Sequence, residues 1–95
     1  MRVEISPTAL AQITEIEAWW SDQRPRAATL FTDELEAAIS RLSELPRLGA
    51  VYPAFPGVRR LLLPRTGYHV YTTEDETVVR IVAVWSAIRA SGPRL

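Results

Sequence analysis

"VRRLLLPRTGYHVYTTEDETVVRIVAVW", residues 58–85, is a stretch of three apolar runs that two short polar segments separate. The runs are rich in branched and aromatic side chains, which favour strands. The segments "PRTG" and "EDE" between them have the composition of turns. The sequence therefore predicts a three-stranded antiparallel meander with strands at 58–63, 68–73 and 77–85.

The third strand of this meander is apolar on both of its faces. Side chains alternate along a strand, so one face is expected to carry Val79, Ile81, Ala83 and Trp85. The other face is expected to carry Val78, Arg80, Val82 and Val84. Because such a strand is typical of the interior of a sheet, we expect a central strand whose Trp85 closes the core.

A short strand and an amphipathic helix are predicted at the N-terminus. Residues 2–6 alternate apolar and polar side chains, as a half-buried strand does. Ser6 and Pro7 then form a helix start, with Ser6 as the N-cap, and helical spacing continues over 7–21. The polar segment 21–25 indicates a turn.

A second, longer helix is expected from about Pro25 to Leu45, where Pro46 ends it. Its apolar stripe consists of Ala28, Phe31, Leu35, Ala38, Ile39, Leu42 and Leu45. Two amphipathic helices joined by a few residues form an antiparallel hairpin. The segment 47–57 is expected to be a loop. The side chains that could fix this loop to the core are Val51, Tyr52 and Phe55.

The order of these elements predicts a single α+β domain over residues 1–95, with both helices packed on one face of the sheet. Ninety-five residues are enough for one modest core and too few for two. The apolar share of 47% and the charged share of 23% are those of a soluble globular chain.

Composition also excludes several classes of protein. No apolar run approaches the ~18 residues that a membrane span needs. The N-terminus lacks a signal-peptide core, so we expect a cytoplasmic location without membrane contact. Without cysteine the chain has no disulfide framework and no thiolate nucleophile.

The formal charge of zero is unevenly distributed. Residues 1–57 hold five arginines and eight acids, whereas residues 58–95 hold six arginines and three acids, a division of −3 and +3. A balanced total argues against strong nucleic-acid binding, which depends on many phosphate contacts. All eleven basic residues are arginine, so any anion contact could be bidentate.

Several features follow one another along the chain at characteristic spacing. They are the helix end "ISRLSELPRLG" (39–49), the strand "VRRLLL" (58–63), the segment "GYHVYT" (67–72), the strand "VVRIVAVW" (78–85) and a late Arg89. Together they resemble the RelE/ParE family of bacterial type II toxins, and more closely its ParE branch. The resemblance covers essentially the whole chain.

This resemblance implies a curved, mostly antiparallel sheet with the helix pair on one face. It also implies a partner, a ParD-like or related antitoxin that wraps the toxin and neutralises it. No cofactor is expected. Members of the ParE branch poison DNA gyrase, and such modules serve plasmid stabilisation. RelE-like members instead cleave messenger RNA in the ribosomal A site. A degenerate member that binds antitoxin without being toxic is a third possibility.

Ribonucleolytic cleavage by a 2′-hydroxyl needs groups that remove and supply protons and cations that stabilise the developing charge. The resemblance would place these groups on the first strand of the meander, after the "GY" of the next strand, and in the tail. The residues found there are Arg60 (or Arg59), His69 and Arg89. Because only His69 can transfer protons near neutral pH, we expect a binding protein rather than an enzyme.

The candidates for contact with a protein partner are Trp19, Arg59, Arg60, Arg80 and Arg89. Because strand side chains alternate, Arg59 and Arg60 are expected on opposite faces, and one of them at most faces a given ligand. Arg80 either shares a face with Arg60 or pairs with an acid.

Trp19 lies about 100° around the first helix from Trp20, which continues the apolar stripe. An exposed tryptophan is typical of binding hot spots. The alternative is that Trp19 packs against the 47–57 loop. No metal site is expected, because the histidine and the acids are not clustered in the sequence.

Overall fold

Across residues 1–89 and 91–95, which the computed structural model describes, five strands form one open mixed sheet and two α-helices pack on one of its faces. The elements are β1 (Arg2–Ile5), α1 (Pro7–Gln23), a 3-10 turn (Pro25–Ala27), α2 (Leu30–Glu44), β2 (Ala50–Val51), β3 (Arg59–Leu63), β4 (Tyr68–Glu74) and β5 (Val78–Ser86). The predicted α+β class and the helical layer are confirmed. No helix in these residues has the length and apolar character needed to cross a membrane.

The sheet has the strand order β1-β5-β4-β3-β2. β3, β4 and β5 form the predicted antiparallel meander. β1 pairs with β5 in parallel, with Val3 opposite Val79, and this places β5 inside the sheet. The fifth strand, β2, was not predicted: two residues of the 47–57 loop pair with Arg59 and Arg60.

The first helix begins as predicted. The Ser6 side chain accepts a hydrogen bond from the backbone N–H of Ala9 at 3.1 Å, and Pro7 occupies the first helical position. Such an N-cap contributes about 1 kcal/mol because it satisfies a donor that the helix leaves free. The helix continues to Gln23, two residues further than predicted.

The predicted start of the second helix at Pro25 is wrong. The chain makes a 3-10 turn over Pro25–Ala27, closed by a bond from Ala27 N–H to the Arg24 carbonyl, and α2 begins at Leu30. The short turn reverses the chain before the helix starts, so Ala28 precedes it. Leu45, at the other end, is the C-cap and is 56% exposed.

A β-bulge corrects the predicted faces of β5. Tyr71 pairs with Ala83 and Thr72 pairs with Ile81, so that Val82 is an extra residue. An inserted residue reverses the alternation beyond it. Val79 and Ile81 face the helices as predicted, but past the bulge it is Val84 that joins them, while Ala83 and Trp85 belong to the opposite face.

The sheet therefore has two apolar clusters. The main core lies between the sheet and the helices, and its buried members are Ala9, Ile13, Phe31, Leu35, Ala38, Leu42, Leu63, Val70, Val79, Ile81 and Val84. The second cluster lies on the other face, which we call the open face. It contains Val58, Tyr71 and Ala83, with Tyr52, Val82, Trp85 and Leu95 packed against them. Trp85 thus covers the open face instead of closing the main core.

Of the three side chains expected to fix the 47–57 loop, one does so. Tyr52 packs in the second cluster, with its ring 5.2 Å from that of Tyr71. Val51 is 67% exposed and Phe55 is 41% exposed. The loop is held instead by polar contacts, since Arg59 donates to the Gly49 carbonyl at 3.0 Å.

Glu34 of α2 fastens the turn between β3 and β4. Its carboxylate accepts hydrogen bonds from the backbone N–H groups of Arg65 (2.7 Å) and Thr66 (3.0 Å) and from the Thr66 hydroxyl (2.6 Å). Hydrogen bonds to a charged acceptor are stronger than neutral ones. This contact joins the helical layer to the end of the sheet where the candidate site lies.

Candidate functional site

Two adjoining concavities occupy the end of the sheet where β5 gives way to the C-terminal tail. The smaller one, the cationic hollow, has a volume of about 230 Å³. It is lined by Tyr52, Arg60, His69, Tyr71, Trp85, Ser86, Ala87, Arg89, Ser91 and Gly92. The larger one, the aromatic groove, is open and has a volume of about 770 Å³. The two share Trp85, Ser86 and Arg89 as lining residues.

The register of the meander builds the cationic hollow on the open face. Arg60 of β3 is opposite Tyr71 of β4, and His69 of β4 is opposite Trp85 of β5. The tail then brings Arg89 to the same place. Three residues that the sequence singled out, Arg60, His69 and Arg89, thus line one hollow.

Both arginines of the hollow lie over aromatic rings. The Arg60 Cζ is 5.0 Å from the centre of the Tyr52 ring, and the Arg89 Cζ is 4.4 Å from that of Trp85. Such cation–π contacts contribute roughly 0.5–1 kcal/mol at exposed sites. Within residues 1–89 and 91–95, neither guanidinium forms a salt bridge with a carboxylate.

The surroundings of His69 favour its neutral form. Partial burial, which disfavours the charged imidazolium, lowers its pKa from the usual 6.5, and the nearby positive charge of Arg60 lowers it further. The ring lies edge-on to Tyr71, with the two centres 6.1 Å apart. The neutral imidazole, which this shift favours, can accept a proton or a hydrogen bond.

Arg59 and Arg80, two other predicted contact residues, already have partners inside the fold. Arg59 donates to the Gly49 carbonyl and lies 3.6 Å from Glu74. Arg80 forms a salt bridge with Glu4 at 2.9 Å. Neither lines the cationic hollow among its described residues. Their role in partner binding stays a prediction.

The aromatic groove runs between α1 and the end of β5. Trp20 anchors it, with its indole N–H donating to the Tyr68 hydroxyl at 3.1 Å. Trp19 stands edge-on against Trp20 at 5.5 Å and is 47% exposed, and the Arg24 Cζ lies 5.9 Å from its ring. On the opposite side of the groove Ile88 is 91% exposed. Large apolar side chains exposed together are typical of a binding surface.

Gln12 completes the wall of this groove at the bulge of β5. Its side-chain oxygen accepts a hydrogen bond from the backbone N–H of Val84 at 2.8 Å. β1 pairs with β5 only as far as Ile81, so Gln12 satisfies a donor that lies beyond the end of β1. The helix is thereby tied to the strand that carries Trp85.

The sequence did not predict that Tyr52, Tyr71 and the end of the tail take part in the site. The Trp85 indole N–H donates to the Ser91 carbonyl at 2.9 Å, and Leu95 packs in the second cluster. Tyr71 could have been found, because it lies two residues after His69 and so shares its strand face. Within the described residues no group of three metal-ligating side chains occurs.

Comparison with known proteins identifies the family. A model of the ParE toxin of the type II toxin-antitoxin system parDE matches residues 3–90. The chain belongs to the ParE toxin family. A solved structure described as the chromosomal ParDE TA system from P. aeruginosa matches this ParE-family chain with a TM-score of 0.77. That match has 20% sequence identity and covers 90% of this chain and 95% of the other. A separate search of the curated proteins finds no match.

The match in structure shows that this ParE-family chain shares its fold with that structure over 90% of its length. At 20% identity the likeness is one of fold. The side chains of the hollow and of the groove therefore have to be interpreted from their own geometry.

Proposed function

We propose that this ParE-family chain inhibits DNA gyrase by binding to it, and that a ParD-like antitoxin neutralises it. The observation that carries the proposal is the match of residues 3–90 to the ParE toxin family. The similarity to a ParDE toxin-antitoxin system supports an antitoxin partner.

The chemistry of the site also favours a binding protein. Among the described residues that line the cationic hollow, only the His69 imidazole exchanges protons readily near neutral pH. Cleavage of RNA needs a second group to protonate the leaving oxygen. The exposed apolar side chains of the neighbouring groove are better suited to contact with a protein surface than to catalysis.

A supercoiling assay tests this function. Purified chain, incubated with gyrase, ATP and relaxed plasmid, is expected to block supercoiling and to trap cleaved DNA. Trp19→Ala should weaken the effect if the groove contacts gyrase, whereas Leu10→Ala is the matched control, since Leu10 is exposed on the same helix outside the groove. Normal supercoiling at a large molar excess of toxin would refute the proposal.

One observation favours a second function, ribosome-dependent cleavage of messenger RNA. Arg60, His69 and Arg89 line the same hollow, as an RNA-cleaving site would require. Primer extension on translated messages after induction distinguishes the two. New cuts within codons that disappear in His69→Ala would establish the nuclease, and their absence would exclude it.

Antitoxin binding is tested separately from toxicity. The gene adjacent to this one is co-expressed, and a complex that co-purifies and restores growth is the expected result. A chain that co-purifies with its antitoxin but never arrests growth alone would instead be a degenerate member of the family.

A further inference from the structure

Arg60 and Arg89 differ from the paired arginines of this chain. Arg2, Arg47, Arg59 and Arg80 each approach the carboxylate of Glu4 or Glu74. Arg60 and Arg89 have no such partner within the described residues, and their guanidinium groups lie over the rings of Tyr52 and Trp85. A guanidinium that contacts an aromatic ring and no carboxylate has N–H donors left that can bind an oxyanion in bidentate fashion.

The other described residues that line the cationic hollow supply further donors and no acidic side chain. The hydroxyl groups of Tyr52 and Tyr71 lie beside Gly92. Their oxygen atoms are 3.1 and 4.0 Å from the position that a Cβ atom on this glycine would occupy. Ser86 lies between the hollow and the groove. Among the described lining residues of the hollow none is acidic. A single anionic group would thus meet cations and hydroxyls there.

The size of the hollow limits the ligand. Its volume of about 230 Å³ lies below the ~300–1,000 Å³ typical of pockets for whole small molecules. One carboxylate or phosphate group fits, attached to something larger that continues outside. The hollow opens beside the aromatic groove, which shares Trp85 and Arg89 with it.

The neighbouring groove favours a peptide over a nucleic acid. A nucleic-acid strand needs cations that follow its backbone. The groove instead offers Ile16, Trp19 and Ile88, and its acid, Glu15, would repel a phosphate chain. Apolar side chains of a peptide can enter the groove while an acidic side chain beside them reaches the hollow.

We propose that Arg60 and Arg89 together bind a carboxylate of a partner protein, in a segment whose adjacent apolar side chains lie in the aromatic groove. This deepens the proposed function, since the antitoxin would be that partner. Specificity then comes from the spacing between the acid and the apolar residues that flank it.

Titration of the ¹⁵N-labelled full chain tests the proposal. The probes are a 12-residue peptide of leucine and glutamate, the same peptide with glutamine in place of glutamate, and hexauridylate. The glutamate peptide should shift the arginine Nε and Trp85 indole signals. Arg60→Gln and Arg89→Gln should each weaken its binding about tenfold, as the loss of a charge-assisted hydrogen bond predicts.

Arg26→Gln is the matched control, because Arg26 is exposed outside both concavities and its replacement should leave the affinity unchanged. Arg60→Lys and Arg89→Lys should retain part of the affinity, and thermal unfolding checks that each variant is folded. Equal affinity for the two peptides, tighter binding of hexauridylate, no binding of any probe, or indifference to both glutamine variants would each overturn the inference. Because gyrase inhibition is measured with the same variants, the inference can fail while the proposed function stands.

Discussion

Thr72 is a polar residue at a buried position of the sheet. It is fully buried in β4 beside the bulge, and its hydroxyl finds no hydrogen-bond partner within the described residues. A buried hydroxyl without a partner costs roughly 1–3 kcal/mol. The Thr72→Val variant, which has the same shape, is therefore expected to raise the free energy of unfolding by about 1 kcal/mol.

Urea denaturation measures this change. Thr73→Val is the control, because the neighbouring residue is only half-buried and the same replacement there should stay within about 0.5 kcal/mol of zero. A loss of stability in Thr72→Val would mean that the hydroxyl is satisfied in solution.

The pKa of His69 reports on the cationic hollow. Burial and the Arg60 charge lower this pKa below 6.5 in the folded chain. Arg60→Gln removes the second cause and not the first, so the pKa should rise but stay below 6.5. Titration of the imidazole signals by NMR gives both values. An unchanged pKa in the variant would place Arg60 away from the ring.

The same shift has a defined effect on stability. The folded chain binds the His69 proton less tightly than the unfolded chain, whose imidazole titrates near 6.5. The contribution of His69 to the free energy of unfolding is therefore fully present above pH 6.5. It is lost as the pH falls from 6.5 through the lowered pKa of the folded chain.

At the scale of elements, the turn between β3 and β4 depends on α2. Three hydrogen bonds reach the Glu34 carboxylate from Arg65 and Thr66. In Glu34→Gln the charge and one acceptor are lost, and we expect the free energy of unfolding to fall by about 1–2 kcal/mol. Glu36→Gln on the exposed side of α2 is the control.

Hydrogen exchange locates the effect. The N–H groups of Arg65 and Thr66 should exchange faster in Glu34→Gln, while those of β5 keep their relative protection. Uniform loss of protection across the sheet would show that Glu34 supports the whole fold instead of one turn.

At the scale of the whole molecule, β1 forms one edge of the sheet and joins the N-terminus to β5. Val3 is opposite Val79, and its side chain packs against the main core. Val3→Asp places an unpaired charge there and is expected to cost more than about 3 kcal/mol, enough to unfold much of the protein. Arg2→Asp, one residue away and exposed, should cost far less. Circular dichroism during urea denaturation compares the two, and similar midpoints would mean that β1 is dispensable.

The sequence predicted the meander because its alternation and turn composition are local signals. It failed at Val82, because a bulge is decided by pairing across strands and no glycine marks it. It placed Arg60 on a face but could not place Arg89, which follows the last strand, or the tail that meets Trp85. The contact of Glu34 was also unpredictable, since it joins residues 31 positions apart.

Because β1 pairs in parallel with β5, β1 cannot join the sheet until β5 has been synthesised. Glu4 and Arg80, which pair in this part of the sheet, are 76 residues apart. At about 5–20 residues per second, a ribosome needs about 4–15 s between them. A nascent chain that stops before Val78 lacks β5, with which both β1 and β4 pair, and also Arg89. Interrupted translation therefore releases fragments that have neither the complete sheet nor the complete hollow.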